Sequence, residues 1–160
     1  MKVSSTLTPA TLVTATTGII NCLILPLQGQ QLLVPQVNMA EMINFTELER
    51  PERAAPWFLG SIPWRGLTVP VVSYEVLNGH TLPADCSRVA IMNSLSTEEG
   101  GYYALVLQGQ PRPAKVKLNE LEDLLEAKDR LGPMDSLAVR WGGEMIIIPE
   151  LDALEKVLAG

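Results

Sequence analysis

Histidine occurs once, at position 80, and cysteine only twice, at positions 22 and 86. A single imidazole cannot build a histidine metal cluster. No carboxylate or thiol stands at ligand spacing from His80, which falls in a Gly-Pro loop, Asn78-Gly79-His80-Thr81-Leu82-Pro83, and reads as a solvated loop residue. Cys22 and Cys86 lack CxxC spacing and lie in apolar, strand-like stretches. They read as buried free thiols, because a core of this size needs no disulfide. No Gly-x-Ser-x-Gly elbow, Walker loop or GxGxxG is present, and Gly100-Gly101 is an isolated turn pair. The carboxylate pairs Glu98-Glu99 and Glu122-Asp123 fall where a loop and a wet helix surface are expected, without the burial that tunes a catalytic acid. The residues supply no basis for an enzyme and indicate neither a metal nor a cofactor site.

Charge is also scarce. Charged residues make up 19% of the chain and leave a net charge of −6. Phosphate backbones and anionic lipid heads repel such a chain, so nucleic acid and membrane-surface partners are disfavoured. No apolar run approaches the roughly 18 residues of a membrane helix; the longest, Ile19 to Leu27, is interrupted by Asn21 and Pro26. The first residues carry Ser and Thr where a signal peptide needs a continuous apolar core, so positions 1–18 read as a flexible polar tail. The expected location is the cytoplasm, without membrane insertion.

What the chain has is apolar material in strand-length pieces. Of its 160 residues 47% are hydrophobic, ample for a core in one unit or two small lobes. Val89, Ile91 and Leu95 alternate with Arg88, Ala90, Met92 and Ser94; Tyr103, Leu105 and Leu107 alternate with Tyr102, Ala104 and Val106. Leu137 to Trp141 and Glu144 to Ile148 flank Gly142-Gly143, a tight-hairpin signal. Short strands broken by regular turns point to barrels or a sandwich. Three segments read as helix. Pro35 to Ile43 is short; Leu118, Leu121, Leu124 and Leu125 form an apolar stripe; Leu151, Leu154, Val157 and Leu158 form another, opened by Pro149. Asn44 to Pro56 reads as a long polar loop.

The most distinctive stretch runs Ala55-Pro56-Trp57-Phe58-Leu59-Gly60-Ser61-Ile62-Pro63-Trp64-Arg65-Gly66-Leu67-Thr68-Val69-Pro70-Val71-Val72-Ser73. It reads as a turn of helix ending at Gly60, a strand, a tight Arg65-Gly66 turn and a return strand. It resembles the central hairpin of the CheW-like chemotaxis adaptor family, roughly LG-x-x-N-L-R-G-x-x-(V/I)-P-V-V-D. Upstream, Pro35 with Glu41 six residues later is similar to that family's P-x-x-x-V-x-E-V helix. The resemblance extends from about Ile20 to Leu158, with specific motifs only over residues 34–73. Pro63-Trp64 replaces the usual Asn-Leu, and Ser73 the usual Asp. Together with Tyr102-Tyr103-Ala104-Leu105 and Ile148 to Glu155, these departures resemble the ChpC-like branch linked to type IV pilus (twitching) chemosensory systems.

The resemblance implies a mainly β fold over 19–160, a single domain of two intertwined five-stranded SH3-like barrels sharing a core, with a few short helices including one at the C-terminus. It implies a non-catalytic adaptor coupling a methyl-accepting chemoreceptor's cytoplasmic tip to the regulatory domain of a CheA-type histidine kinase, self-associating weakly if at all. One alternative is an accessory module that binds the kinase or a pilus regulator without the receptor; another is a small-molecule-binding β-barrel. Arg65 and Glu41 are expected to pair beside a receptor-binding groove, with Met39, Ile43 and Ile62 supplying apolar contact. A merely structural surface pair is the competing reading. Gly60 and Gly66 are expected to serve the turns. Trp57 is expected to pack in the core, and Trp64 either there or at an interface.

Overall fold

Several central strands are apolar on both faces, and a strand of that kind must be covered twice. In a computed structural model of the protein, which describes residues 18–44, 48, 50–84, 86, 88–95 and 101–159, this need is met by two sheets around three cores. The proposed tail up to Thr17, Glu47, Glu49 and the Glu98-Glu99 pair lie outside the described residues.

The chain opens with β1 (Ile20–Leu27) and β2 (Gln30–Pro35), an antiparallel pair. It then builds a complete second sheet from β3 (Met39–Asn44), β4 (Phe58–Trp64), β5 (Leu67–Val72), β6 (Arg88–Asn93) and β7 (Tyr102–Leu107), in the order β3-β6-β7-β5-β4. The last strands, β8 (Arg112–Val116), β9 (Glu122–Asp123), β10 (Asp135–Trp141) and β11 (Glu144–Pro149), return to the first sheet, giving β8-β1-β2-β11-β10-β9. The first two and the last four strands therefore share one sheet. The first sheet has six strands and not five, because the two-residue β9 adds to the edge of β10.

Residue parity divides the cores. On β1, Leu23, Leu25 and Leu27 enter a core shared between the sheets, while Ile20, Cys22 and Ile24 enter the first lobe's own core. On β7, Tyr103, Leu105 and Leu107 face the shared core, while Ala104 and Val106 face the second lobe's core. The period of two thus sorts side chains between two apolar interiors and not between oil and water. Among the described residues two helices cover the shared core: α1 (Tyr74–Leu77), N-capped by Ser73 Oγ accepting from Val76 N, and α2 (Leu151–Ala159), which buries Leu151 and Leu154 completely. Val157 and Leu158 pack on the same core, so the expected C-terminal stripe is present and inward-facing.

Three helical expectations are corrected. Only Gln36–Asn38 of the segment from Pro35 to Ile43 is helical, as one 3-10 turn. Met39, Glu41 and Ile43 lie on β3, where Glu41 sits opposite Ile91 and Ile43 opposite Val89. The open edge of β6 offers this segment a hydrogen-bonded ladder, which outweighs its weak local preference. The leucine stripe from Leu118 to Leu125 is likewise broken: 3-10 turns at Leu118–Glu120 and Leu125–Arg130 flank β9. Leu124 is buried while Leu125 is 72% exposed. Finally, no helix ends at Gly60, which lies within β4 at a register shift between Phe58 and Gly60, with φ +126°. Gly60 serves a bulge and not a turn.

Candidate functional site

The β4–β5 hairpin turns at Arg65-Gly66, with φ of +49° and +76°, the paired positive values of a two-residue turn that follows the strand twist. Holding Arg65 there has a backbone cost that glycine at 66 does not share. The result is an arginine at the very tip of the hairpin.

Its partner comes from the far side of the sheet. Arg65 Nη2 lies 3.2 Å from Glu41 Oε1, and Trp64 Nε1 donates to the same oxygen at 3.1 Å. The Arg65 guanidinium carbon stands 4.5 Å from the Trp64 ring centroid, and that ring meets Tyr102 edge to face at 4.8 Å. Because β3 and β4 are the two edges of the five-stranded sheet, these contacts draw its edges together. The pair expected from sequence therefore also links the open ends of a curled sheet.

The remaining candidates divide by burial. Trp64 is 8% exposed and Ile62 5%, and both pack in the second lobe's core with Leu59, Val69 and Val71. Met39 is half-buried against the shared core, and Ile43 half-buried against the second lobe's core. Trp57 packs on the shared core. Only the polar heads present substantial surface, with side-chain exposures of 67% for Arg65 and 41% for Glu41. Tyr102 is not among the site residues expected from sequence, where Tyr102-Tyr103-Ala104-Leu105 enters only in the strand pattern and the ChpC-like resemblance; only the topology puts it under Trp64.

Comparison with protein families matches residues 21–157 to the CheW-like domain. The chain belongs to the CheW-like domain family. Among solved structures, the scaffolding protein TtCheW from Thermoanaerobacter tengcongensis is similar, with a TM-score of 0.69 and 16% identity over 82% of this chain and 89% of that one. The search of curated proteins finds no match. The CheW fold is thus common to both chains despite few shared residues. CheW-like scaffolds are non-catalytic, and this chain is a CheW-like scaffold adaptor of chemotaxis signalling, not an enzyme. Among the described residues no helix is long and apolar enough to cross a membrane.

Cys22 is a buried free thiol, and Cys86 is half-buried. Burial pushes the Cys22 thiol up from 9.0 to about 11. Cys22 is therefore expected to resist thiol reagents at pH 8 in the folded CheW-like domain and to react on unfolding, which a timed labelling assay with and without denaturant would read. The linked stability effect has a definite sign. Above pH 9 the unfolded chain releases this proton first, so folding stability declines as pH rises from 9 towards 11.

Proposed function

We propose that this CheW-like chain couples the cytoplasmic tip of a methyl-accepting chemoreceptor to the regulatory domain of a CheA-type histidine kinase, in the cytoplasm, and that it serves pilus-driven motility as a ChpC-like adaptor. One observation carries the coupling role. Arg65 is bound to Glu41 and stacked on Trp64, yet two-thirds of its side chain remains exposed. A guanidinium held this way has lost much of its rotamer freedom before any partner arrives, and it keeps donors free for a carboxylate or backbone carbonyl. Met39 and Ile43, half-buried on β3 beside Glu41, supply the adjoining apolar surface. Ile62 and Trp64 support that surface from within the core.

Reversing the charge tests this. Arg65→Glu places a carboxylate beside Glu41 and is expected to weaken receptor binding by tenfold or more. The lost pair is exposed and contributes only about 0–1 kcal/mol, so the melting temperature should move by only a few degrees. Receptor affinity equal to wild type in the folded variant removes Arg65 from the interface. Kinase capture measured on the same samples separates coupling from the accessory reading, in which the kinase alone is retained. The pilus assignment is supported by the Trp64-Arg65-Gly66 turn, the Tyr102-Tyr103 strand and the Ile148–Glu155 ending. A deletion strain that loses twitching but keeps swimming would bear it out. The ligand-binding barrel reading gains nothing from the lobes, whose cores are occupied by Cys22, Ile24 and Ile146 in one and Val71, Ile91 and Val106 in the other.

A further inference from the structure

Away from the hairpin, a cavity of 630 Å³ opens between the β1–β2 turn, the end of α1, the 3-10 turn Leu125–Arg130 and strands β10 and β11. Its size is that of a small-molecule site, and its walls carry opposite charges at different depths. Glu75 is the deep group. It is 2% exposed, and among the described residues its carboxylate receives two neutral donors, Gln28 N at 3.2 Å and Ser73 Oγ at 3.3 Å. No cation pairs with it among the described residues. A buried carboxylate accepts about four hydrogen bonds and is costly to leave without countercharge, so roughly half of its capacity is unused. Gln30 lines the same cavity, and its Nε2 is a buried donor without an acceptor among the described residues. Arg130, exposed, stands on the lining, and Leu131, Ala138 and Ile147 supply an aliphatic wall.

We propose that this cavity binds a small aliphatic zwitterion of the ω-amino-acid type, its ammonium group inward on Glu75 and its carboxylate outward on Gln30 Nε2 and Arg130. An ammonium provides the countercharge that Glu75 lacks. A carboxylate oxygen provides the acceptor that Gln30 lacks. The methylene chain between them lies on the aliphatic wall. A purely anionic ligand would bring its charge against Glu75, and a purely cationic one would leave Gln30 unsatisfied. The site lies apart from the Glu41–Arg65 hairpin and does not depend on the docking role proposed for it.

The test uses the full chain, isotopically labelled for amide NMR and titrated with 5-aminovalerate, pentylamine and valerate. Saturable shifts centred on Gln28, Gly29, Gly79 and His80 are expected with 5-aminovalerate, weaker ones with pentylamine, and none with valerate. Glu75→Gln, nearly isosteric, should lower affinity for both amines about tenfold or more. Arg130→Gln and Gln30→Met should each erase the preference of 5-aminovalerate over pentylamine. Gln30→Met should do so with no loss of melting temperature, since no described residue accepts a hydrogen bond from its amide nitrogen. If Glu75→Gln fails to fold, these two variants decide the matter. Absence of shifts at the cavity with 5-aminovalerate up to about 10 mM, beyond the weak millimolar range, would overturn the proposal. So would equal binding of valerate, or an unchanged preference in both variants.

Discussion

Trp64→Ala is expected to destabilise the protein by about 3–5 kcal/mol, enough to lower the melting temperature on the order of 10 °C. The ring is 8% exposed and fills the second lobe's core beside Ile62 and Val69, so alanine leaves a void that a β-sandwiched site cannot readily close. The ring also makes three specific contacts: the edge-to-face approach to Tyr102, the stacking of Arg65 and the Nε1 donation to Glu41. Removing it therefore weakens the core and releases both polar heads of the candidate docking site. Trp64→Phe separates these effects. It keeps most of the apolar body and loses the donor, and should cost about 1–2 kcal/mol. Chemical denaturation of both variants would check the order. If Trp64→Ala melted like the wild type, the residue would be a surface anchor and not part of the core.

Much of this arrangement was legible in the sequence, and the parts that were not share a cause. The hairpin around Arg65-Gly66 was readable because its turn chemistry is local: two residues at positive φ, one of them glycine. Gly142-Gly143 was readable for the same reason. The Glu41–Arg65 pair was expected, but through a motif resemblance that put Glu41 on a helix. What brings the two residues together is sheet topology, with β3 and β4 as opposite edges of one sheet. No local pattern shows that Met39 to Asn44 will pair with β6 forty-odd residues on. The leucine stripe misled in the same way, because Leu118, Leu121 and Leu124 have helical spacing. Leu118 and Leu121 pack on the first lobe's core and Leu124 on the shared one, with the extended β9 between Leu121 and Leu124. Helical spacing records that residues are apolar, not which core receives them.

The polar residues around α1 escaped notice for a related reason. Ser73, Glu75 and Asn78 look like an ordinary polar helix turn, yet all three are buried, at 0%, 2% and 7% exposure. Glu75 is bonded to the β1–β2 turn, and Asn78 to the loop before β10. In a protein whose two lobes share one core, a short helix at the junction is covered from several sides. Its polar side chains then become the fasteners between segments distant in sequence. Burial of this kind is visible only once the shared core is in place.

Those fasteners make Asp135 the second site of large expected effect. Its Oδ1 accepts from Tyr74 OH and from Asn78 Nδ2, each at 2.7 Å, and its Oδ2 accepts from Gly132 N at 2.9 Å. Asn78 Oδ1 in turn accepts from Met134 N at 2.7 Å, and Tyr74 OH has a second acceptor in Met134 O at 2.8 Å. Burial pushes the Tyr74 phenol far above its ordinary range, and the neighbouring Asp135 charge adds to that, so the hydroxyl remains a donor wherever the protein is folded. Asp135→Ala would leave Asn78 Nδ2 and Gly132 N without these acceptors and is expected to cost about 2–4 kcal/mol. Tyr74→Phe, which removes one hydroxyl whose hydrogen is shared between two acceptors, should cost about 1 kcal/mol. Gly132→Ala attacks the same network by steric means. A Cβ there would stand 2.5 Å from Asn78 Cγ and 2.6 Å from its Oδ1, so Asn78 must move and give up its bonds. If the network acts as one unit, combining Gly132→Ala with Asp135→Ala will cost much less than the two losses added separately. Strict additivity in denaturant melts would show that Asn78 and Asp135 hold the junction independently.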